Sequence, residues 1–227
     1  NLIVKNILDV SAVDISHNLA VKNMVDISGL DVSHNVIIKN WLDVSGADIS
    51  HNLIIKEWLD VSSVDVSHNM VVQQWIDVSG IDISNNARIK GRLDASGIDI
   101  SHNLTCDLAS VRSLLIVNEK LDISGIDVSN NLYVKNSIDV SGIDVSHNVI
   151  IQQWLDASSS NISNDLIVGH WIDASGLDVS NNAIFKNWVD MSGVDISHNL
   201  IVKNILDVSA VDISHNLAVK NMVDISG

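Results

Sequence analysis

The sequence predicts an all-β chain wound as a three-sided parallel β-solenoid (β-helix), about 17 residues per coil. Three observations carry that expectation. An Asp recurs at Asp14, Asp31, Asp48, Asp65, Asp82 and Asp99, each 17 residues after the last. After a step of 28 to Asp127, the 17-residue step resumes at Asp144, Asn161, Asp178, Asp195 and Asp212. A fixed short period of this kind marks a stack of identical coils. Apolar residues come in pairs that bracket a single residue, the period-two pattern of a strand with one face inward. Short clusters of Ser, Gly, His and Asn, residues that turn a chain, separate the pairs.

The elements follow in order within residues 8–24, which read LDVSAVDISHNLAVKNM. Leu8 and Val10 enclose Asp9, Val13 and Ile15 enclose Asp14, and Leu19 and Val21 enclose Ala20. A helix would not place apolar residues this way, so three short strands with three inward pairs are expected. The corners between them are Ser11-Ala12 (usually Ser-Gly), Ser16-His17-Asn18 and Lys22-Asn23. Gly fills the first corner at Gly29, Gly46, Gly80, Gly97, Gly125, Gly142, Gly176, Gly193 and Gly227, and only Ala or Ser replaces it. That restriction points to a cramped corner. Equivalent residues should stack every ~4.8 Å, the spacing of neighbouring strands.

The array is expected to run through residues 1–103 and again through residues 121–227, with an 11-residue insertion carried by residues 104–120. Within it, DLASVRSLL has the composition of a brief helix with Asp107 as N-cap. A short helix or loop bulging from a corner is the expectation there. At larger scale, residues 1–29 recur unchanged as residues 199–227. The superrepeat is eleven coils, or roughly 53 Å at the strand spacing. The pattern starts and stops in mid-coil without visible polar caps, so a longer repetitive polymer is expected.

Composition narrows the function classes. The formal net charge is −15, which argues against a phosphate-binding nucleic-acid partner. Of the 28 acidic residues, 24 fall in two Asp columns, one from Asp9, Asp26 and Asp43 to Asp224, the other beginning Asp14, Asp31, Asp48. No apolar run approaches the ~18 residues of a membrane span. The single Cys106 excludes an intrachain disulfide framework.

Each repeat brings Asp, Ser and His together, as in "LDVSAVDISHN". A hydrolytic triad needs one buried acid, one oriented His and an oxyanion hole. A set repeated along an exposed face has none of these, and no catalytic residue is expected. The Asp columns read as solvated faces that discourage sheet-to-sheet aggregation. Asp9, Asp26, Asp43, Asp14, Asp31 and Asp48 are also candidate ligands for Ca²⁺, a hard cation that takes oxygen donors. No other metal or cofactor is expected. His recurs at the second corner from His17 onward, with Asn in its place at Asn85, Asn130, Asn164 and Asn181. Zinc would not accept that exchange, so a polar ladder is expected. The Asn that follows should form an amide ladder along the axis.

The third side departs from the other two. Its outward positions read Ile37, Lys39, Trp41 and then Ile54, Lys56, Trp58. All six Trp share one column: Trp41, Trp58, Trp75, Trp154, Trp171 and Trp188. With Ile37, Ile54, Ile150, Ile167 and Ile184 they make an apolar stripe, the usual mark of a contact face.

The motif "DVSG…DVS" resembles the repeats of long fibre-like structural proteins of large DNA viruses and phages. That resemblance implies a virion or extracellular, cell-surface setting and no enzymatic residue. The partners it implies are further copies of the fibre and other virion or surface components. The five-residue steps of two sides also resemble pentapeptide repeats. Some proteins of that family are acidic rods that mimic DNA and inhibit DNA-binding enzymes, which supplies the alternative reading. The leading expectation is a structural fibre shaft that self-associates or docks through its Ile/Trp stripe.

Overall fold

The computed structural model describes residues 1–225, and among them there is no helix. Ser226 and Gly227, and with them the last Ser-Gly corner and the end of the second 29-residue copy, lie outside the described residues. The chain forms two compact units, residues 1–112 and residues 113 onward. Their boundary falls inside the expected insertion segment.

In the first unit, three-residue strands alternate with nine-residue strands as far as Trp75–Ile83, and Ala87–Ile100 then runs through both as one 14-residue strand. Leu2–Val4 is followed by Ile7–Ile15, Leu19–Val21, Met24–Val32, Val36–Ile38 and Trp41–Ile49. The pairings are parallel, and among the strands before Ala87 each joins a strand to the next but one. Leu19–Val21 pairs with Val36–Ile38, and Met24–Val32 with Trp41–Ile49, always 17 residues apart. Such pairing is one turn of a coil, and the sequence dictates its register. Shifting a strand by one residue would expose Leu42 and Val44 and bury Asp43.

Two strands per coil replace the three that were expected. Met24–Val32 runs through the Ser-Gly corner as one strand, yet it keeps two inward pairs, Val25 with Ile27 and Leu30 with Val32. The change of phase falls at Ser28-Gly29, where two successive residues point away from the core. The ladder passes from Ile27↔Val44 to Gly29↔Gly46 and leaves the Ser column unpaired. The corner is therefore a break in the pleat within one strand. With Leu19 and Val21, each coil has three inward pairs, and these residues are almost wholly buried. Each such aliphatic side chain stabilises the fold by roughly 1.5–3 kcal/mol.

The second unit repeats the plan. Lys120–Val128, Ser137–Val145, Trp154–Ile162, Trp171–Val179, Trp188–Ile196 and Ile205–Ile213 stack in parallel. Short strands from Asn131–Val134 to Leu217–Val219 close the coils. Phe185 is fully buried between Val168 and Val202 of the adjoining coils.

Two expectations are corrected. Residues 104–117 form neither a helix nor a loop but a 14-residue strand, Leu104–Val117. Three inward pairs, Leu104/Cys106, Ala109/Val111 and Leu115/Val117, give it the burial rhythm of the coils, so its apolar residues win over its helix propensity. The Ser-Gly corner is also not cramped. A Cβ added at Gly29, Gly46, Gly80, Gly97 or Gly142 would meet nothing within 4 Å. No described glycine has positive φ, so Ala and Ser are free to replace Gly there. The tight glycines are elsewhere. A Cβ on Gly91 would lie 2.0 Å from the Gln74 carbonyl oxygen, and one on Gly169 2.0 Å from that of Gln152.

Candidate interaction surface

Outward residues form columns parallel to the solenoid axis, because each residue pairs with its counterpart one coil on. Their order around a coil of the first unit is Ile37, Lys39, Trp41, Asp43, Ser45, Gly46, Asp48, Ser50, His51 and Asn52. The structure redraws the expected Ile/Trp stripe. Ile37 lies outward on the short strand Val36–Ile38, whereas Trp41 opens the long strand Trp41–Ile49. The bend at Lys39-Asn40 separates them. Strand alternation puts Trp41 on the same outer face as Asp43. The Trp column thus runs between a Lys column and the first Asp column. Ile37 and Ile150 are exposed, while Ile54, Ile167 and Ile184 are half-buried.

All six Trp are exposed, from 37% at Trp75 to 50% at Trp188. In the first unit Trp41 and Trp58 stack with centroids 5.0 Å apart, and Trp75 meets Trp58 edge-on at 5.1 Å. In the second, Trp154 and Trp171 stack at 5.3 Å. These rings cover one another along the axis and leave their outer edges in solvent. Shielding of a corner does not account for that exposure.

The Asp columns are in register, Asp9↔Asp26↔Asp43 and Asp14↔Asp31↔Asp48, and all six carboxylates are exposed. Burial raises the Asp60 pKa above its ordinary 3.8, and the charges of Asp43 and Asp77 raise it further. Asp65 is raised by burial and by Asp82 and Asp48, and Asp156 by burial and by Asp139 and Asp173. The columns are mutually repulsive. Among the described residues, no three His, Cys, Asp or Glu side chains gather to hold a metal ion. The candidate Ca²⁺ ligands form rows and do not converge on a point.

Where Arg or Lys takes the Trp position, it reaches the Asp column. Arg92 lies 3.4 Å from Asp94, and Arg112, outside the Trp column, also reaches Asp94 at 3.5 Å. Lys120 bonds Asp122 at 3.3 Å and Asp139 at 3.2 Å. In the Trp coils, Lys39, Lys56, Asp43 and Asp60 make no ion pair among the described residues.

The Asp-Ser-His set is brought together only as parallel columns. The rings of His17, His34, His51 and His68 stack face to face at 5.4, 5.0 and 4.8 Å. His198 and His215 do the same at 4.8 Å. His51 Nδ1 is buried without a hydrogen-bond partner. The furrows on this side run along the Gly corner between Ser and Asp columns. One is lined by Gly29, Asp31, Gly46 and Asp48, the other by Gly176, Asp178, Gly193 and Asp195, and no His lines either.

The Asn column forms the expected amide ladder. Asn52 Nδ2 and N both donate to Asn35 Oδ1, at 2.9 and 3.3 Å, and Asn69 repeats this onto Asn52 at 3.2 Å each. Asp165 still accepts from Asn182 N and Nδ2, both at 3.0 Å. A second ladder, not expected from the sequence, runs at the Lys-Asn corner. Asn23 donates to Asn6 at 2.7 Å, Asn204 to Asn187 at 2.8 Å and Asn221 to Asn204 at 2.7 Å. The recurrence of Asn after Lys, 17 residues apart, was its signal.

No family model, no curated protein and no solved structure matches the chain. The resemblances to viral fibre repeats and to pentapeptide repeats find no support there, and the demonstrated class is a repetitive parallel β-solenoid. No described helix is long and apolar enough to cross a membrane.

Proposed function

We propose that this chain is a structural shaft, a segment of a fibre or filament in a virion or extracellular setting, whose exposed Trp columns bind neighbouring shafts or docking components. The observation that carries this reading is the exposed run of three Trp in each unit, beside continuous axial ladders. Backbone pairing and the Asn amides tie each coil to the next, which suits a part that bears load along its axis. Stacked aromatic side chains with exposed edges supply contact area at low entropic cost, as in interface hot spots. The Asp columns keep such a surface from pairing indiscriminately. No catalytic role is assigned to the Asp-Ser-His columns in this reading. The alternative, an acidic rod mimicking DNA, is less favoured, because a Lys column and a Trp column interrupt the negative surface.

Sedimentation of the purified chain against a variant with all six Trp changed (Trp41→Ser/Trp58→Ser/Trp75→Ser/Trp154→Ser/Trp171→Ser/Trp188→Ser) tests the proposal. The expected result is concentration-dependent association of the wild type and its loss in the variant, with an unchanged β-sheet circular dichroism signal. Association that is indifferent to these substitutions would remove the Trp columns from the reading.

A further inference from the structure

We infer that the partner of the Trp column in residues 1–112 is a second copy of this chain, laid alongside in parallel and related by a two-fold axis parallel to the solenoid. The inference rests on the reading of that column as a contact face, and it names the occupant and its direction.

The order of columns carries the argument. Coil after coil reads Lys, apolar, Asp across the surface: Lys5-Ile7-Asp9, Lys22-Met24-Asp26, Lys39-Trp41-Asp43 and Lys56-Trp58-Asp60. The Lys and Asp of these coils are exposed and make no ion pair within the described residues. Turn a second copy by half a revolution about a line parallel to the solenoid axis and lay it face to face. Trp then meets Trp, and each Lys column comes opposite the partner's Asp column on both flanks. Turn the copy about a perpendicular line instead, and Lys faces Lys while Asp faces Asp. Electrostatics therefore selects the parallel arrangement. The pairing is isologous, so the same patch serves both copies.

Axial spacing points to the same occupant. The charges recur once per coil, at the strand spacing of ~4.8 Å. Only a partner with that repeat keeps Lys opposite Asp over several coils, and a second copy has it by construction. Arg92 and Lys120 show that cations at this corner do reach the Asp column when it is within range. Lys39 and Lys56, with long flexible stems, are placed to do so across an interface.

The test is charge exchange on the full chain, read by sedimentation equilibrium. Lys22→Asp/Lys39→Asp/Lys56→Asp should weaken the dimer by about tenfold or more, since like columns then face each other. Adding Asp26→Lys/Asp43→Lys/Asp60→Lys should restore it. Adding Asp31→Lys/Asp48→Lys/Asp65→Lys instead gives the same net charge with cations in the other Asp column, and should not restore it. All variants change exposed residues, and circular dichroism verifies their fold. A dimer lost with the Trp residues but indifferent to charge exchange would overturn the parallel pairing and leave the Trp contact standing. Equal rescue by both compensating sets would overturn it as a mere net-charge effect. A wild type that stays single, or a dimer indifferent to the Trp substitutions, would overturn both.

Discussion

Single residues show where the repeat is under strain and where it is tolerant. Ser160 occupies the inward position held by Ile143 in one neighbouring coil and Leu177 in the other. It is 2% exposed, and its Oγ has no hydrogen-bond partner. Ser160→Val should raise stability by about 1–3 kcal/mol, read from denaturant unfolding, because it removes an unsatisfied hydroxyl and fills the site with apolar atoms. The glycines give the opposite contrast. Gly46→Ala adds a methyl to open space and should be near neutral. Gly91→Ala drives a Cβ into the Gln74 carbonyl oxygen and should cost about 1–3 kcal/mol. Glycine spacing in the sequence could not separate these cases. It showed that Gly, Ala and Ser interchange at the corner, and the structure shows why: nothing is there to exclude them. Cys106 is inert, its thiol buried and pushed up to about 12, with contacts to the Gly91 and Leu108 carbonyl oxygens.

Elements were legible where alternation is strict and less so where it changes phase. The inward pairs Leu42/Val44, Ala47/Ile49 and Val36/Ile38 follow directly from the sequence. That two of them share one strand does not, because a pleat can break at Ser45-Gly46 without the backbone ladder ending. In the 104–117 segment Leu, Ala and Arg are good helix formers, but propensity yields to tertiary pairing, and the segment is a strand. Ladders between elements carry their own predictions. Asn52→Ala leaves the Asn69 N and Nδ2 donors without their acceptor and removes the bond to Asn35, at an expected cost of about 2–3 kcal/mol in thermal or denaturant melts. The Asp columns act in the other direction. Asp60 has its pKa raised above 3.8 in the folded chain by burial and by Asp43 and Asp77. A raised carboxyl pKa makes folding less favourable as pH climbs past the unfolded value, and the full cost remains above the folded one. Asp60→Asn should therefore raise the melting temperature at neutral pH, with a gain that shrinks as pH falls toward 3.8. A gain that persisted at acid pH would point away from charge repulsion.

At the scale of the whole molecule, charge and aromatic character are sorted by column. Twelve of the 13 Lys and Arg, Arg112 being the exception, belong to the short side, its Lys corner or the Trp column, and 24 of the 28 acids to the two Asp columns. This sorting was legible in the sequence, since a 17-residue register assigns every residue to a column. The placement of Trp beside Asp, across a bend from Ile, required the structure, because the sequence alone does not say where a corner falls. On the proposed function, the chain is a shaft whose Trp columns hold shafts side by side. Electron microscopy of the purified protein, with the power spectrum taken along any elongated assembly, tests it most directly. Filaments or bundles with a layer line at ~4.8 Å and neighbouring shafts in lateral contact are the expected result. Dispersed single chains with no lateral association at any concentration would contradict it.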